Sequence, residues 1–398
     1  MATRRDAALA IVSAVLGVAA LSVVTVGAVS GHNQPIAQRP SPGRSVVTWV
    51  VPHDQGVAPV VPLSGGAASG LGSFNAISCP SATECVAVGA DAKLGGVAST
   101  SNDGGSTWVQ EKLDANEPQL DAVACFNVAN CVAVGAGATV RTSDGGKTWS
   151  SSSIPTGNTT LLGVSCPNVT SCVAVGVSPG VDGPYVGQLL VSTDGGTTWS
   201  APKLPVSPGA LGSVDCPSST FCVAVGASIV VSTDGGATWS TRTVNGGFGP
   251  LRSVACETKT TCVAVGANPG VVQDPTAAAF GVMTNDGGAT WGSVSLPSGS
   301  GMLDVISCSS TTCVAVGSAL NGAPATFLSS STGATWTANQ TLATSVSAVS
   351  ALSCTSGTSC VYVGQNGKNP VSVPTLNGVA TGTTPVSALV RHQKDVTR

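Results

Sequence analysis

Six times along the chain an eight-residue signal returns at intervals of 40 to 52 residues: SNDGGSTW (Ser101 to Trp108), TSDGGKTW (Thr142 to Trp149), STDGGTTW (Ser192 to Trp199), STDGGATW (Ser232 to Trp239), TNDGGATW (Thr284 to Trp291) and a worn copy, SSSTGATW (Ser329 to Trp336). Self-similarity at a period of about 45 residues confines the chain to an array of units, each of which buries its apolar faces against its neighbours. Locally the signal reads as a tight turn between two strands. The Asp carboxylate accepts backbone N–H bonds across the turn, and the two glycines supply φ > 0 at no steric cost. The Trp then opens the outgoing strand as a large buried wedge.

A second element recurs between these signals. All 14 cysteines fall into seven pairs: Cys79/Cys85, Cys125/Cys131, Cys166/Cys172, Cys216/Cys222, Cys256/Cys262, Cys308/Cys313 and Cys354/Cys360. Each first Cys ends a short strand such as LGSVDC or LRSVAC, and each second opens another, CVAVG in six units and CVYVG in the last. The pair therefore closes the first hairpin of every unit. Zinc is the competing reading, but two thiols per unit with no His among the repeats make a poor tetrahedral set. An even count at fixed spacing in an exported chain reads as disulfides, with no metal. Each bridge closes a very short loop, worth about 2 kcal/mol in chain entropy, and its main effect is to pin the register of strands rich in Ala, Val and Gly.

The eight-residue signal resembles the Asp-box (BNR, sialidase-type) repeat, Ser/Thr-x-Asp-x-Gly-x-Thr-Trp, which five copies match fully across roughly residues 45–390. The resemblance implies an all-β fold, a seven-bladed β-propeller of four-stranded blades, here with one disulfide per blade. In that family the box lies on the turn between the third and fourth strands, away from the ligand face. Asp103, Asp144, Asp194, Asp234 and Asp286 are thus implied to be structural turn formers.

Seven Cys pairs but six boxes leave one blade short. The segment TLNGVATG, Thr375 to Gly382, reads as a decayed seventh box without its Trp, with Asn377 at the place of Ser331. Conversely, Trp49 in SVVTWVVP has no box before it. The expectation is that Val46 to Val51 completes the last blade as its outer strand and so removes an open sheet edge.

The N-terminus locates the ring. Arg4 and Arg5 precede an uncharged apolar run from Ala7 to Val29, long enough to span a bilayer. The expected order is a cytoplasmic stub (1–6), a transmembrane helix or signal segment (7–29), a linker (30–44), the propeller (45–390) and a tail (391–398). The propeller is then extracytoplasmic, held at the membrane by the helix, or secreted if cleavage occurs after Ala28. Charged residues are 9% of the chain, far below the usual share of about 25%. A net charge of -3 leaves no basic stripe for nucleic acid.

Function must be sought on loops and rim. Length differs between units chiefly after the CVAVG strand, with long stretches at Ser178 to Gly187 and Asn268 to Gly281. Propeller strand order puts these loops opposite the boxes. Four residues before each first Cys, where the innermost strand enters from that face, stand Asn75, Asp121, Leu162, Gly212, Arg252, Asp304 and Ser350. Asn75, Asp121, Arg252 and Asp304 are the candidate ligand-binding set, against the alternative of an ordinary solvated rim. Sialidases of this resemblance need three arginines, a Tyr/Glu pair and an acid/base Asp. The ring holds Arg141, Arg242 and Arg252, with Tyr185 and Tyr362 as the only tyrosines and no evident partner among Glu84, Glu111, Glu117 and Glu257. His32, His53 and His392 lie outside the repeats, so no blade carries a His-based triad. Other members of the resemblance are noncatalytic, such as the photosystem II assembly and stability factors. The expectation is a membrane-tethered binding or assembly module for a protein or glycan, without a cofactor. The alternative is a glycoside hydrolase of the sialidase-like class, which would need two placed carboxyls.

Overall fold

The computed structural model describes residues 71–385, apart from 112, 114–116, 156, 158, 181–184, 203, 205–207, 245–248, 268–278, 342–345, 358, 368, 377–378 and 381–383. The apolar run of residues 7–29, Trp49 with its strand, and Asn377 lie outside the described residues. No helix among the described residues is long and apolar enough to cross a membrane. The ring falls within one compact unit, Gln55–Arg398.

Seven antiparallel sheets follow one another along the chain, covering residues 71–111, 120–152, 160–200, 211–242, 251–293, 300–341 and 348–385. Within each, strands pair in chain order, first to second to third and outwards. The first strands touch in succession, blade one to blade two and so on, and the first strand of blade seven returns to that of blade one. That circuit makes the first strands the inner wall of a closed ring.

Each second strand is buried on both faces, as its continuous CVAVG run requires. In blade two, Val132 and Val134 face the layer shared with blade three. Cys131 and Ala133 face the layer shared with blade one, where they meet Trp149. The small Ala leaves room for the box Trp, and the same combination returns with Ala174/Trp199, Ala224/Trp239, Ala264/Trp291 and Ala315/Trp336. A box Trp is therefore the filler between its own blade and the preceding one.

The box itself is a small hydrogen-bonded cage. In blade two Thr142 Oγ1 donates to Asp144 Oδ1 at 2.8 Å and accepts from Gly146 N at 3.0 Å. Thr148 N donates to Oδ1 at 2.9 Å, its hydroxyl to Oδ2 at 2.7 Å, and the Trp149 indole N–H to Gly146 O at 2.8 Å. Gly146 has φ 88°, and a Cβ there would press on Thr100 and Val86 of the preceding blade, so both conformation and contact demand glycine. Gly145 N bonds to Ala129 O inside the disulfide loop of its own blade at 2.8 Å. Box and disulfide thus brace each other on one face of the ring, a link the sequence did not reveal. In the worn box Ser331 takes the place of the Asp, receiving Thr335 N at 2.9 Å.

All seven Cys pairs are bridged within their own hairpins. The bridges lie where a register pin would, and the second Cys of a pair is a core residue as well. Cys172, Cys222, Cys262 and Cys313 keep at most 1% of their surface exposed. Each packs into the layer that holds its blade's box Trp, beside Trp199, Trp239, Trp291 and Trp336 in turn. These four are thus sealed structural positions and no part of any surface site. The reason is strand direction: the second Cys opens the strand that is buried on both faces, so its sulfur enters the layer as a small apolar group.

Two blades depart from the expected four strands. In blade three the fourth strand reduces to one bridge, Val191 to Ser200, because Pro202 follows and has no N–H to continue the ladder. In blade seven the outer edge of Asn369–Leu376 is taken by Val379–Ala380 and Thr384–Pro385, so the strand beside it comes from the C-terminal side. Among the described residues, the layer between blades six and seven contains no Trp. Tyr362, the one Tyr in the CVAVG series, occupies the Ala place and packs there against Val314, Val316 and Val373. Among the described residues it is the large aromatic of that layer, as a box Trp is elsewhere. The ring closes where Trp108 and Phe74 of blade one meet Val361 and Val363 of blade seven, with Ser372 Oγ bonded to Gly105 O at 2.9 Å.

Candidate functional site

Every inner strand carries a bulge at the same place. The pairing register with the second strand skips between Leu120 and Ala122, Leu211 and Ser213, Leu251 and Ser253, Leu303 and Val305, and Val349 and Ala351. It does so again between Phe74 and Ala76 and, on blade three, between Leu161 and Gly163. The residues left out of the ladder are Asn75, Asp121, Leu162, Gly212, Arg252, Asp304 and Ser350. A bulge re-aims its extra residue, and here it does so once per blade around the mouth of the ring.

The last residue of CVAVG explains why the bulge fits. A Cβ on Gly135 would overlap the carbonyl oxygen of Gln119 and crowd the Cα of Leu120, and one on Gly176 would meet Thr160 and Leu161 in the same way. The inner strand folds its bulge onto the bare Cα. Cys131 pairs with Cys125 on one side and with box residue Thr142 on the other, whereas Gly135 pairs with Leu120 at the opposite end. The bulges and the loops after the second strands therefore share the face away from boxes and disulfides, the loop face.

The structure brings the four candidate residues together as two neighbouring pairs. Asn75 Nδ2 donates to Leu120 O at 3.0 Å and to Asp121 Oδ1 at 3.3 Å, while Gln119 Nε2 donates to the same oxygen at 2.6 Å. Arg252 Nη1 lies 3.0 Å from Asp304 Oδ1 in an ion pair open to solvent. Burial pushes the Asp121 carboxyl up against the opposing pull of the Gln119 and Asn75 amides, and pushes Asp304 up against the opposing charge of Arg252. Deeper along the wall, Asp215 accepts Cys256 N at 2.6 Å, and burial pushes its carboxyl up as well.

Among the described residues, the arginines and tyrosines that a sialidase would use do not converge. Arg141 is on the third strand of blade two, Arg242 bonds from an outer strand to Gly288 O in the next box, and Arg252 is at the mouth. Tyr362 is sealed between blades and pushed up to about 12 by burial, while Tyr185 is exposed beside the blade-three loop.

The two sets of carboxylates predict opposite limbs in a pH profile. Bonds from Thr198 hold Asp194, and bonds from Thr290 hold Asp286, down at about 2. A carboxyl lowered by folding contributes stability that is present above its unfolded value of about 3.9 and lost as pH falls through its folded value. Asp121, Asp215 and Asp304 are raised, so protonating them stabilises the fold as pH approaches 4 from above. Thermal melts should therefore hold or rise slightly on acidification to about pH 4 and then fall between about pH 4 and 2. Asp215→Asn should shrink the upper limb and leave the lower one in place.

These features define an Asp-box propeller: seven blades, a box face braced by disulfides, and a loop face with one bulged residue per blade. A family model described as photosynthesis system II assembly factor YCF48 matches residues 108–272. Three solved structures share the ring. YCF48 bound to D1 peptide aligns at TM-score 0.55 and 16% identity, covering 77% of this chain and 94% of that one. YCF48 from Cyanidioschyzon merolae aligns at 0.53 and 14%, covering 78% and 96%. The GH74 xyloglucanase from Xanthomonas campestris aligns at 0.56 and 17%, covering 78% of this chain but only 53% of the enzyme. At these identities the structures speak for the fold. No curated protein matches the chain. The chain is an Asp-box propeller similar to the YCF48 assembly factors.

Proposed function

We propose that this propeller is a noncatalytic binding or assembly module that takes a protein segment at the loop-face mouth. One observation carries the reading. Across blades built to a single pattern, the bulged position holds a different residue type in nearly every copy, Asn, Asp, Leu, Gly, Arg, Asp and Ser. A position that every blade presents and that no blade needs for packing is free to encode a ligand. The similarity to YCF48, one structure of which holds a D1 peptide, supports a polypeptide over a sugar. Residues 7–29 would hold the ring at a membrane with the propeller extracytoplasmic, in keeping with seven disulfides.

The test is a random-peptide display selection on detergent-solubilised full-length protein. Enriched peptides are then measured against Asp121→Asn and against the double change Arg252→Ala/Asp304→Ala. Binding should weaken on at least one variant with no loss of melting temperature, because these side chains lie outside the packed layers. Undiminished binding on both variants would remove the mouth as the site. Turnover of aryl glycosides, lost in Asp121→Asn or Asp304→Asn protein that melts normally, would replace the reading with the hydrolase.

A further inference from the structure

We propose, resting on that reading, that Asp121 and Leu162 form the selective part of the mouth and that they recognise a basic side chain next to an apolar residue in the bound segment. The seven bulges do not make a uniform rim. Arg252 and Asp304 pair with each other, so each charge already has a partner. Asp121 differs. Its two bonds come from neutral amides and both end on Oδ1, while Oδ2 accepts none and is not sealed from solvent. Among the described residues no cation lies within ion-pair distance of it. Its carboxylate is oriented and half-desolvated but not neutralised, the state in which a partner's ammonium or guanidinium gains most.

The next two blades supply the rest. On blade three the bulged residue is Leu162, which is left 38% exposed. On blade four it is Gly212, where even a Cβ would find its nearest neighbour, Arg252 O, at 3.8 Å. Between Asp121 and Arg252 the rim therefore presents one exposed leucine and then one position with no side chain. A Lys or Arg can lay its aliphatic stem along Leu162 and bring its charge to Asp121, with the neighbouring apolar residue of the segment in the space over Gly212. Asp215, further along the inner strand of blade four, likewise has no cation within ion-pair distance among the described residues and adds negative potential beyond Gly212. An acidic segment or a free C-terminal carboxylate is disfavoured. It would have to displace Asp304 from Arg252 and approach Asp121 uncompensated.

The mouth-dependent peptides from the display selection give the test, remade as end-blocked fluorescent dodecapeptides and followed by polarisation at low and high salt. They should carry Lys or Arg beside Leu, Ile, Val or Phe. Asp121→Asn, which keeps the amide partners, should weaken a Lys peptide about tenfold or more. The same change should barely alter the norleucine version of that peptide. Asp121→Lys should make the Lys→Glu peptide the better ligand, and Leu162→Asn should weaken every apolar-flanked peptide without altering melting. Mouth-dependent peptides that are acidic, or that lose equally to Asp121→Asn with Lys and with norleucine, would overturn this assignment and leave the module reading intact. Peptides indifferent to every mouth variant would remove both.

Discussion

Gly135→Ala should be among the most damaging single-methyl changes in the ring, costing about 3 kcal/mol or more, at the upper end of overpacking. The added carbon has no side chain to push aside. It meets backbone, the Gln119 carbonyl and the Leu120 Cα, on the inner strand that forms the ring's wall. Relief would require the bulge at Asp121 to flatten, which would turn that carboxylate back into the ladder. Folded Gly135→Ala protein should accordingly lose mouth binding even where it survives, and chemical denaturation with peptide titration would show both losses together. An alanine at Gly137, where nothing lies within 4 Å, should cost less and leave binding alone, since its penalty is confined to a φ of 76°. Equal destabilisation at 135 and 137 would mean that the bulge is not what the CVAVG glycine serves.

That glycine shows where sequence reading stops short. The boxes and the Cys pairs were legible as punctuation because each is a local device whose residues explain one another within eight positions. The number of blades, the disulfide pairing and the face on which the loops lie followed from them. Less legible was the second duty of Cys172, Cys222, Cys262 and Cys313, since which side of a strand faces the layer that holds the box Trp is a matter of packing between blades. A glycine at the end of a buried β run, present in all seven copies, was a signal for a bulge or a close backbone approach. Its partner lies some 15 residues upstream on another strand, so its meaning depends on a register that only the folded sheet fixes. The candidate rim residues were found by counting back from each Cys, which gives the place but not the partners. Whether Asp121 would sit beside Arg252 or apart from it depends on which blades are neighbours around the ring. The pairing of Arg252 with Asp304, and the unneutralised state of Asp121, are consequences of that order.

Tyr362→Ala should cost about 3 to 5 kcal/mol, the range for removing a large aromatic from a packed core. The change returns the seventh blade to the CVAVG of the other six, yet it should destabilise. In blades two to six the Ala is tolerated because a box Trp fills the same layer, as Trp149 does beside Ala133. Blade seven has no such Trp among the described residues, and its layer with blade six is built from Val314, Val316, Leu352, Val371 and Val373 around the Tyr ring. Truncation would leave a cavity bounded by β-branched side chains on strands that cannot close in without breaking ladders on both sides. Trp49→Ala tests the same layer from the other end of the chain. If Tyr362 and the C-terminal strand at Thr384–Pro385 complete blade seven, Trp49→Ala should leave the melting curve nearly in place. A large loss from Trp49→Ala with a small one from Tyr362→Ala would return the closure of the ring to the N-terminal segment. Two large losses that fail to add in the double variant would place both rings in one layer, because side chains sharing a cavity couple.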